Sequence, residues 1–302
     1  MIAAAIDVGT NSIKLVVGEK DARGAVRVLR EAVVITRLGE KLDSTGLISD
    51  AASRRTLEGI RSLVADAREL GAECIRAVAT SAMRDATNRS EFVGAVLDKT
   101  RVKIEVISGM EEARLTRRAV VLDPVLDQYD GEVVTVDVGG GSTEVTTTHD
   151  SLSLDIGAVR LHERSIRHDP PCAAEVLAAA ESAGGILREA LPGALEGPVV
   201  GLGGSAVNIA RMLKAVPCQD FARVHGVAVT AREIAGLIDR LAQMNVEQRR
   251  TIVGLDPERA DVILTGAIIL EAVLKALGRD QMIVSVRGLR HGLLYEMLEV
   301  KT

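Results

Sequence analysis

The stretches AIDVGTNSIKL (5–15) and TVDVGGGSTEV (135–145) repeat one pattern and decide the fold. In both, an aspartate ends a short apolar run, Val and Gly follow it, and a serine stands five positions after the aspartate. The flanking residues are apolar in both copies. Matching loops at matching places in the two halves indicate an internal duplication.

The elements around the two loops follow the same order. The opening run MIAAAIDVG (1–9) and the period-two apolar pattern of 13–19 and 25–35 predict a β-meander. In the second half, strands are predicted over 133–139, 142–148 and 151–157. The second half therefore opens as the first does.

Beyond each meander, strands and helices alternate, as in α/β sheets. The clearest helix spans 50–71, where apolar residues recur at three and four positions, Ser49 or Asp50 serves as the cap and Gly71 as the stop. The other predicted helices are 90–100, 111–122, 159–167, 173–190, 230–244, 257–278 and 288–298. Further strands are predicted at 73–80, 103–108 and 281–286, and 198–213 is predicted as strand, glycine turn and helix.

The turn-rich segment VLDPVLDQYDGE (121–132) is the best candidate for a domain boundary. A length of 302 residues also suggests two domains, each large enough for its own core. We predict domains at 1–125 and 126–287, with a C-terminal helix at about 288–302 packing back on the first.

Composition excludes several function classes. Lys and Arg total 37 against 42 Asp and Glu, so no global basic field attracts nucleic acid or an anionic membrane. With two Phe, two Tyr and no Trp, the chain lacks a platform for stacked bases. The most apolar later stretch, 262–270, is too short to span a membrane.

The three cysteines and five histidines suggest no metal centre. Cys74, Cys172 and Cys218 are widely spaced without CxxC, which argues against a disulfide framework or a zinc site and favours a reducing cytoplasm. The histidines show no metal-ligand spacing, and each is predicted to lie at a surface or interface.

The two repeated loops have the composition of phosphate-binding loops. Glycines where a strand turns back let backbone N–H groups approach phosphate oxygens, and an aspartate at the strand end can hold a cation. Either loop alone fits an ordinary β-hairpin, whereas the pair favours phosphate binding. The predicted phosphate-binding residues are Gly9, Thr10, Asn11 and Ser12 with Gly139, Gly140, Gly141 and Ser142, and Asp7 and Asp137 are candidate metal ligands.

Together with further motifs, these loops resemble a known family. The motifs are ATSAMRDATNR (79–89), VISGMEEARL (106–115), VGLGGSAVN (200–208), ERADVILTGAIIL (258–270) and VRGLRHGLLYEML (286–298). The chain is similar to the short, two-domain form of the exopolyphosphatase and guanosine pentaphosphate phosphohydrolase family from about residue 2 to residue 298. The resemblance implies an α/β fold of two duplicated ribonuclease-H-like domains of the actin-like ATPase superfamily, with the active-site cleft between them.

The resemblance also implies roles for particular residues. Glu112 matches the family's general base, and Arg84 a contact to substrate phosphate. Mg²⁺ is implied near Asp137, with Glu144 as a ligand or as a second water-orienting carboxylate; a surface salt bridge is the alternative for Glu144. The resemblance also allows for an additional monovalent cation such as K⁺. Glu111, at the same helix start, is expected only to complement the helix dipole and to pair with an arginine near 114–118.

Three later motifs carry weaker expectations. The glycine turn 201–208 either helps to hold a nucleotide or packs a strand against a helix, and packing is favoured. Arg259 and Asp261 are marked by the family pattern alone; without it, solvent exposure or a role at a helix end is expected. His291 stands where longer relatives often have Glu, although Arg287 and Arg290 remain candidate anion contacts.

The predicted activity is hydrolysis of the terminal phosphoanhydride of inorganic polyphosphate by a cytoplasmic enzyme, which the resemblance suggests is a homodimer. The alternatives are hydrolysis of pppGpp to ppGpp, an ATP-dependent kinase of the same superfamily, and a nucleotide-binding sensor. The kinase needs an acceptor-sugar domain that the sequence does not display, and the sensor predicts binding without phosphate release.

Overall fold

We describe a computed structural model of the chain that covers residues 1–21, 24–129, 133–191, 193 and 195–300. Two predictions extend beyond the described residues. These are the boundary segment, at its residues 130–132, and the C-terminal helix, at its residues 301–302. No helix among the described residues is long and apolar enough to cross a membrane.

The described residues form two mixed sheets and the helices that cover them. The strands are β1 Ile2–Val8, β2 Ser12–Lys20, β3 Val26–Ile35, β4 Cys74–Ala79, β5 Ile104–Val106, β6 Val134–Val138, β7 Thr143–Thr146, β8 Ser151–Leu154, β9 Val199–Leu202, β10 Ala228–Thr230 and β11 Gln281–Val284. The helices are α1 Leu42–Thr45, α2 Asp50–Glu69, α3 Ser81–Asp85, α4 Arg89–Thr100, α5 Gly109–Val121, α6 Ala158–Ser165, α7 Ala173–Ala190, α8 Gly203–Leu213, α9 Ala231–Ala242, α10 Val246–Arg250, α11 Ile263–Ala276 and α12 Leu289–Met297.

The chain divides into two compact units. Unit 1 comprises Met1–Leu122 with Gly288–Thr302, and unit 2 comprises Asp123–Arg287. Helix α12 therefore belongs with the N-terminal half of the chain, although it lies at the other end of the sequence.

The two sheets repeat one strand arrangement. In unit 1 the order is β3-β2-β1-β4-β5, with β1 to β3 antiparallel and β4 and β5 parallel to β1. In unit 2 the corresponding order is β8-β7-β6-β9-β11, with the same orientations and with β10 added antiparallel at the edge. The duplication read from the two loops thus extends to the whole sheet.

Strand β1 is buried on both faces because helices cover the sheet of unit 1 from both sides. Ala4, Ile6 and Val8 belong to a core cluster with residues of α2 and α4. Ala3 and Ala5 belong to a second cluster with residues of α5 and α12. This two-sided burial explains why β1 reads as a continuous apolar run rather than an alternating one.

Helix boundaries follow the capping signals in most cases. Helix α2 begins after Ser49, whose side chain accepts from the Ala52 N–H, and Gly71 beyond its end has a φ of +79°. The predicted helix over 257–278 is wrong at its start, because α11 begins only at Ile263. The Ala260 carbonyl accepts at 3.3 Å from Arg249 Nη1 instead of an α-helical N–H, and a short 3-10 turn spans Pro257–Arg259.

Two histidines contradict the prediction that all five lie at a surface or interface. His291 is 2% exposed, and its Nε2 lies 2.9 Å from Glu31 Oε1. His225 Nε2 lies 2.9 Å from the buried Asp123 carboxylate, which is also 3.6 Å from Arg287 Nε. These partners are far away along the chain, so the sequence pattern does not reveal them.

The Glu31 cluster joins β3 to α12 within unit 1. Arg290 Nη2 donates to Glu31 Oε1 at 2.7 Å, on the same oxygen that His291 approaches. Burial alone would raise the pKa of the Glu31 carboxyl, but the His291 hydrogen bond and the charges of His291 and Arg290 outweigh burial and lower this pKa to about 2. Arg290, a candidate anion contact, is thus already paired with a carboxylate.

We expect Glu31 to make unit 1 sensitive to acid. Because the folded pKa of about 2 lies below the ordinary 4.5, this stabilisation is present above pH 4.5 and is lost as the pH falls towards 2. The lowered pKa corresponds to a contribution of about 3 kcal/mol to the free energy of unfolding. Glu31→Gln should lower the free energy of unfolding at neutral pH and flatten its decline below pH 5, measured by urea unfolding. Glu58→Gln, in an exposed pair with Arg61, is the control and should change little. Equal effects of the two substitutions would contradict the assignment.

Candidate active site

The two repeated loops share their hydrogen bonds as well as their sequence. The Gly9 N–H donates to the Ser12 carbonyl at 3.0 Å, and the Gly139 N–H donates to the Ser142 carbonyl at 3.0 Å. Each loop therefore closes as a tight turn between two antiparallel strands. Since both glycine amides are used inside their turns, Gly9 and Gly139 shape the loops but do not offer their own N–H groups to a ligand.

Other donors of the loops remain available. Within the described part of the chain, the N–H groups of Thr10, Asn11, Gly140 and Gly141 donate no hydrogen bond. The Asn11 side-chain nitrogen is buried without a partner there. A buried donor without an acceptor costs free energy. This cost indicates that the loops are suited to an anionic ligand.

Backbone hydrogen bonds from residues 36–39 fix the first loop. The Asn11 carbonyl accepts from the Thr36 and Arg37 N–H groups at 3.1 and 2.9 Å, and the Thr10 carbonyl accepts from Gly39 N–H at 2.9 Å. A Cβ atom at Gly39 would overlap the Thr10 side chain. The carbonyls are thereby occupied, while Thr10, Asn11 and Ser12 are all less than 10% exposed.

The second loop is held by the start of α6. The Gly139 carbonyl accepts from Ala158 N–H at 2.9 Å, and the Gly140 carbonyl accepts from the N–H groups of Val159 and Arg160 at 2.9 and 3.1 Å. Gly157 packs so closely on Gly140 that a Cβ atom would overlap that backbone. Sequence reasoning missed Gly157, and its only signal is a glycine directly before a helix.

The cross-strand partners distinguish the two loops. Asp7 is paired in register with Lys14, whose Nζ donates to Asp7 Oδ2 at 3.0 Å. At the equivalent register of the second loop, Asp137 is paired with Glu144. Directly opposite residues of an antiparallel pair lie on the same face. The first loop therefore carries an ion pair, and the second carries two carboxylates.

The Glu144 carboxylate is buried and held by a hydrogen bond. It is 2% exposed, and Ser153 Oγ on the next strand donates to its Oε1 at 2.8 Å. This burial disagrees with the alternative of a surface salt bridge.

Arg84 and Glu112 form an ion pair within unit 1. Arg84 lies on α3, just after β4, and its Nη1 donates to Glu112 Oε2 at 2.8 Å and to the Ile107 carbonyl at 3.2 Å. The Glu112 side chain is 11% exposed and that of Arg84 23%. The site thus holds a partly accessible guanidinium directly against a nearly buried carboxylate.

The neighbouring acid, Glu111, has a different environment. Its carboxylate accepts from Arg114 Nε and Nη2 at 2.8 and 2.7 Å on the exposed side of α5. The Ser108 hydroxyl accepts from the Glu111 N–H at 3.2 Å and caps the helix. The expected pairing of Glu111 with a nearby arginine is confirmed.

The glycine turn after β9 accommodates two charged side chains of unit 2. Gly203 has a φ of +78°, and a Cβ atom there would overlap Asp137 Oδ1. A Cβ atom at Gly204 would overlap the guanidinium of Arg259. Packing of a strand on a helix was the favoured expectation for this turn. The turn also makes room for the side chains of Asp137 and Arg259.

Arg259 also contradicts the expectation of solvent exposure. Its side chain is only 12% exposed, with Nε 4.0 Å from Asp256 Oδ2. Burial lowers the pKa of its guanidinium, while nearby carboxylates, Asp256 foremost, oppose the shift. Asn208, which sequence reasoning missed, accepts at Oδ1 from the Asp256 N–H at 2.8 Å and so fixes the segment that precedes Arg259.

Comparison with known proteins places the chain in a family. It matches the Ppx/GppA phosphatase family model over residues 15–301. Exopolyphosphatase 2 of Mycobacterium tuberculosis is 37% identical, over 96% of this chain and 96% of that protein. The Aquifex aeolicus Ppx/GppA phosphatase, type II variant, superposes with a TM-score of 0.76 at 32% identity, covering 98% of this chain and 99% of that chain.

A further solved structure bears on the fold alone. An exopolyphosphatase from Cytophaga hutchinsonii superposes with a TM-score of 0.88 at 23% identity, covering 100% of this chain and 99% of that chain. With the repeated sheets, these likenesses confirm the predicted duplicated α/β fold of the actin-like ATPase superfamily. By its sequence match and its fold, the chain belongs to the Ppx/GppA phosphatase family.

Proposed function

We propose that this protein is an exopolyphosphatase, which hydrolyses the terminal phosphoanhydride of inorganic polyphosphate and releases orthophosphate. The observation that carries the proposal is the 2.8 Å contact between Arg84 and Glu112, since it joins the proposed phosphate contact to the expected general base. The relative that is 37% identical over nearly the whole chain bears the name Exopolyphosphatase 2.

In the proposed reaction, Glu112 orients a water molecule and accepts its proton as the oxygen attacks the terminal phosphorus. The bond from that phosphorus to the bridging oxygen breaks, and the shortened polyphosphate leaves with the bonding electrons. Phosphoryl transfer depends mainly on positioning and on electrostatic stabilisation. Glu112 suits this role because the hydrogen bond from Arg84 Nη1 to its Oε2 fixes the orientation of the carboxylate.

Arg84 is proposed to contact the phosphate that is released. Among its contacts with described residues, it donates through Nη1 alone, so Nε and Nη2 keep N–H groups for a ligand. A planar guanidinium can give two parallel hydrogen bonds to one phosphate. The backbone N–H groups of Thr10, Asn11, Gly140 and Gly141 are proposed to bind further phosphates of the polyphosphate substrate.

Mg²⁺ is the proposed cofactor, held by Asp137 and Glu144. Two carboxylates on one face fit this ion, which proteins hold through one or two carboxylates with water and phosphate oxygens as the other ligands. Bound there, Mg²⁺ would offset negative charge on the substrate phosphates. Asp7 fits less well, because the Lys14 ammonium already neutralises its carboxylate.

Polyphosphate is preferred over guanosine pentaphosphate because the described residues offer few aromatic side chains for a base. Phe92 and Tyr295 are each only 3% exposed and belong to the core of unit 1. Tyr129 and Phe221 are half-buried. Guanine selectivity would therefore have to rest on polar groups, whereas polyphosphate needs only the donors named above.

One assay tests the activity against its alternatives. The purified protein with Mg²⁺, with and without K⁺, is offered polyphosphates of several lengths, pppGpp, and ATP with and without sugars, and released orthophosphate is measured. We expect polyphosphate to give the highest kcat/KM. Faster release from pppGpp would identify a pppGpp phosphohydrolase, sugar-dependent ATP turnover a kinase, and binding without release a sensor. Light scattering on the same samples tests the proposed homodimer.

We expect Asp137→Asn to raise the Mg²⁺ concentration needed for half-maximal activity by about 10-fold or more. Loss of an outer-shell partner alone commonly costs 10–100-fold in metal affinity, so loss of a ligand charge should cost at least as much. The measurement is a Mg²⁺ titration of orthophosphate release. Asp155→Asn, at a side chain that is 84% exposed, is the control. An unchanged Mg²⁺ requirement in Asp137→Asn would remove this residue from the metal site.

A further inference from the structure

A cluster of three metal-binding side chain types lies at the start of α7 in unit 2. His168, Cys172 and Glu175 each offer one ligand atom, and these atoms all lie within 4.8 Å of one another. His168 Nδ1 is 2.9 Å from Glu175 Oε1. None of the three belongs to the candidate active site, so the proposed activity leaves the cluster unexplained.

The carboxylate of this cluster is held in place by backbone groups. Glu175 Oε1 accepts from the Arg167 N–H at 2.8 Å, and Oε2 accepts from the Cys172 N–H at 3.0 Å. The Glu175 side chain is 11% exposed, whereas His168 is 72% exposed. Such support orients a ligand before any ion arrives.

The loop that carries His168 and Cys172 is anchored as well. Ile166 and Pro171, which alternate with the ligands along the chain, are buried. The Asp169 carboxylate accepts from the Val246 N–H at the start of α10, with distances of 2.9 and 3.1 Å to its two oxygens. The positions of His168 and Cys172 are therefore set by the fold of unit 2.

From this arrangement we propose that His168, Cys172 and Glu175 bind a Zn²⁺ ion, with water completing the coordination. One imidazole nitrogen, one thiolate sulfur and one carboxylate oxygen form a mixed donor set that suits Zn²⁺, whereas Mg²⁺ requires oxygen ligands. The ion joins the loop 166–172 to the first turn of α7 and stabilises unit 2.

Capping of α7 involves Cys172 and Glu175 but does not account for His168, whose Nδ1 lies 2.9 Å from Glu175 Oε1. Glu175 occupies the position whose side chain caps the start of α7, and Cys172 stands at the N-cap. Ser, Thr, Asp and Asn are the preferred N-cap residues, and a thiol is a poor substitute. The spacing His-x3-Cys-x2-Glu mixes three residue types and so matches neither a CxxC motif nor a pair of histidines at metal-ligand spacing.

The first test is Zn²⁺ binding by the full-length protein, measured by equilibrium dialysis in excess Mg²⁺. We expect one bound Zn²⁺ per chain. Cys172→Ser and His168→Ala should each weaken binding by roughly 100-fold or more, since outer-shell losses alone reach that size. Cys74→Ser makes the same chemical change at another exposed cysteine and should leave binding unchanged. Equal Zn²⁺ affinity in Cys172→Ser and Cys74→Ser, or no binding by the unaltered protein, would overturn the proposal.

A second readout separates a built site from adventitious surface binding. Zn²⁺ at about 100 times its dissociation constant should raise the Tm of unit 2 by roughly 5–10 °C, because an ion that binds only the folded state stabilises it by mass action. Co²⁺ in place of Zn²⁺ should show a thiolate-to-metal absorption band that Cys172→Ser abolishes. Zn²⁺ binding without a Tm shift and without that band would identify an adventitious ion only.

Discussion

We expect Glu112→Gln to lower kcat for polyphosphate hydrolysis by about 10²-fold or more, the size of a general-base contribution. The amide cannot accept the proton of the attacking water. Its oxygen can still accept the hydrogen bond that Arg84 Nη1 now donates to Glu112 Oε2 at 2.8 Å, so the site should keep its shape. KM should therefore change little, and the loss should lie in kcat.

Glu111→Gln supplies a matched control in the same helical turn. The two substitutions remove the same charge from the first turn of α5, where acids complement the helix dipole, and they change side-chain size equally. They differ in that Glu111 pairs with Arg114 on the exposed side, whereas Glu112 contacts Arg84. Steady-state kinetics should show nearly full activity for Glu111→Gln. An equal loss of activity in the two variants would point to an effect on the helix rather than to loss of a general base. Full activity in Glu112→Gln would exclude Glu112 as the general base.

Local patterns predicted the parts of the fold that depend on neighbours in sequence. The apolar alternation of residues 13–19 and 25–35 and the capped helix at 50–71 are examples, because their periodicity is a direct result of burial on one or two faces. The pairing of Asp137 with Glu144 also follows from local sequence, because two residues seven positions apart across a short hairpin come to lie on one face.

Contacts between distant segments could not be predicted in this way. Arg84 and Glu112 were each proposed from the resemblance, but nothing in their separate motifs indicates that they form an ion pair. The burial of Arg259 against Gly204 and that of His291 against Glu31 depend on which elements pack together. Charged residues on such elements look solvent-exposed until their partners are known.

The two copies of the duplicated loop differ at one position that bears on their proposed roles. Both copies keep the same turn, with matching 3.0 Å hydrogen bonds from Gly9 and Gly139. Opposite the aspartate, one copy has Lys14 and the other Glu144. A lysine there neutralises the aspartate, while a glutamate doubles the negative charge. This exchange of one residue type is the physical basis for the proposal that the second loop holds a divalent cation and the first holds phosphate.

The placement of Asp137 depends on a glycine, and Gly203→Ala should lower kcat/KM for polyphosphate by roughly 10²-fold, the cost of displacing a catalytic group by about 1 Å. A methyl group at this position overlaps Asp137 Oδ1, so the carboxylate must move away. The Mg²⁺ concentration for half-maximal activity should rise together with the loss, because the displaced carboxylate is the proposed metal ligand.

Gly46→Ala separates this displacement from backbone strain. Gly46 has a φ of +68°, close to the +78° of Gly203, but a Cβ atom at Gly46 meets nothing within 4 Å. Backbone strain should therefore lower the stability of both variants by about 1–2 kcal/mol, the cost of an alanine in the left-handed region, and the overlap with Asp137 should add to this only in Gly203→Ala. Only Gly203→Ala should also alter kcat/KM and the Mg²⁺ requirement, measured alongside Tm. Equal kinetic losses in the two variants would show that strain alone reduces activity, and would leave Asp137 without its role in binding the metal.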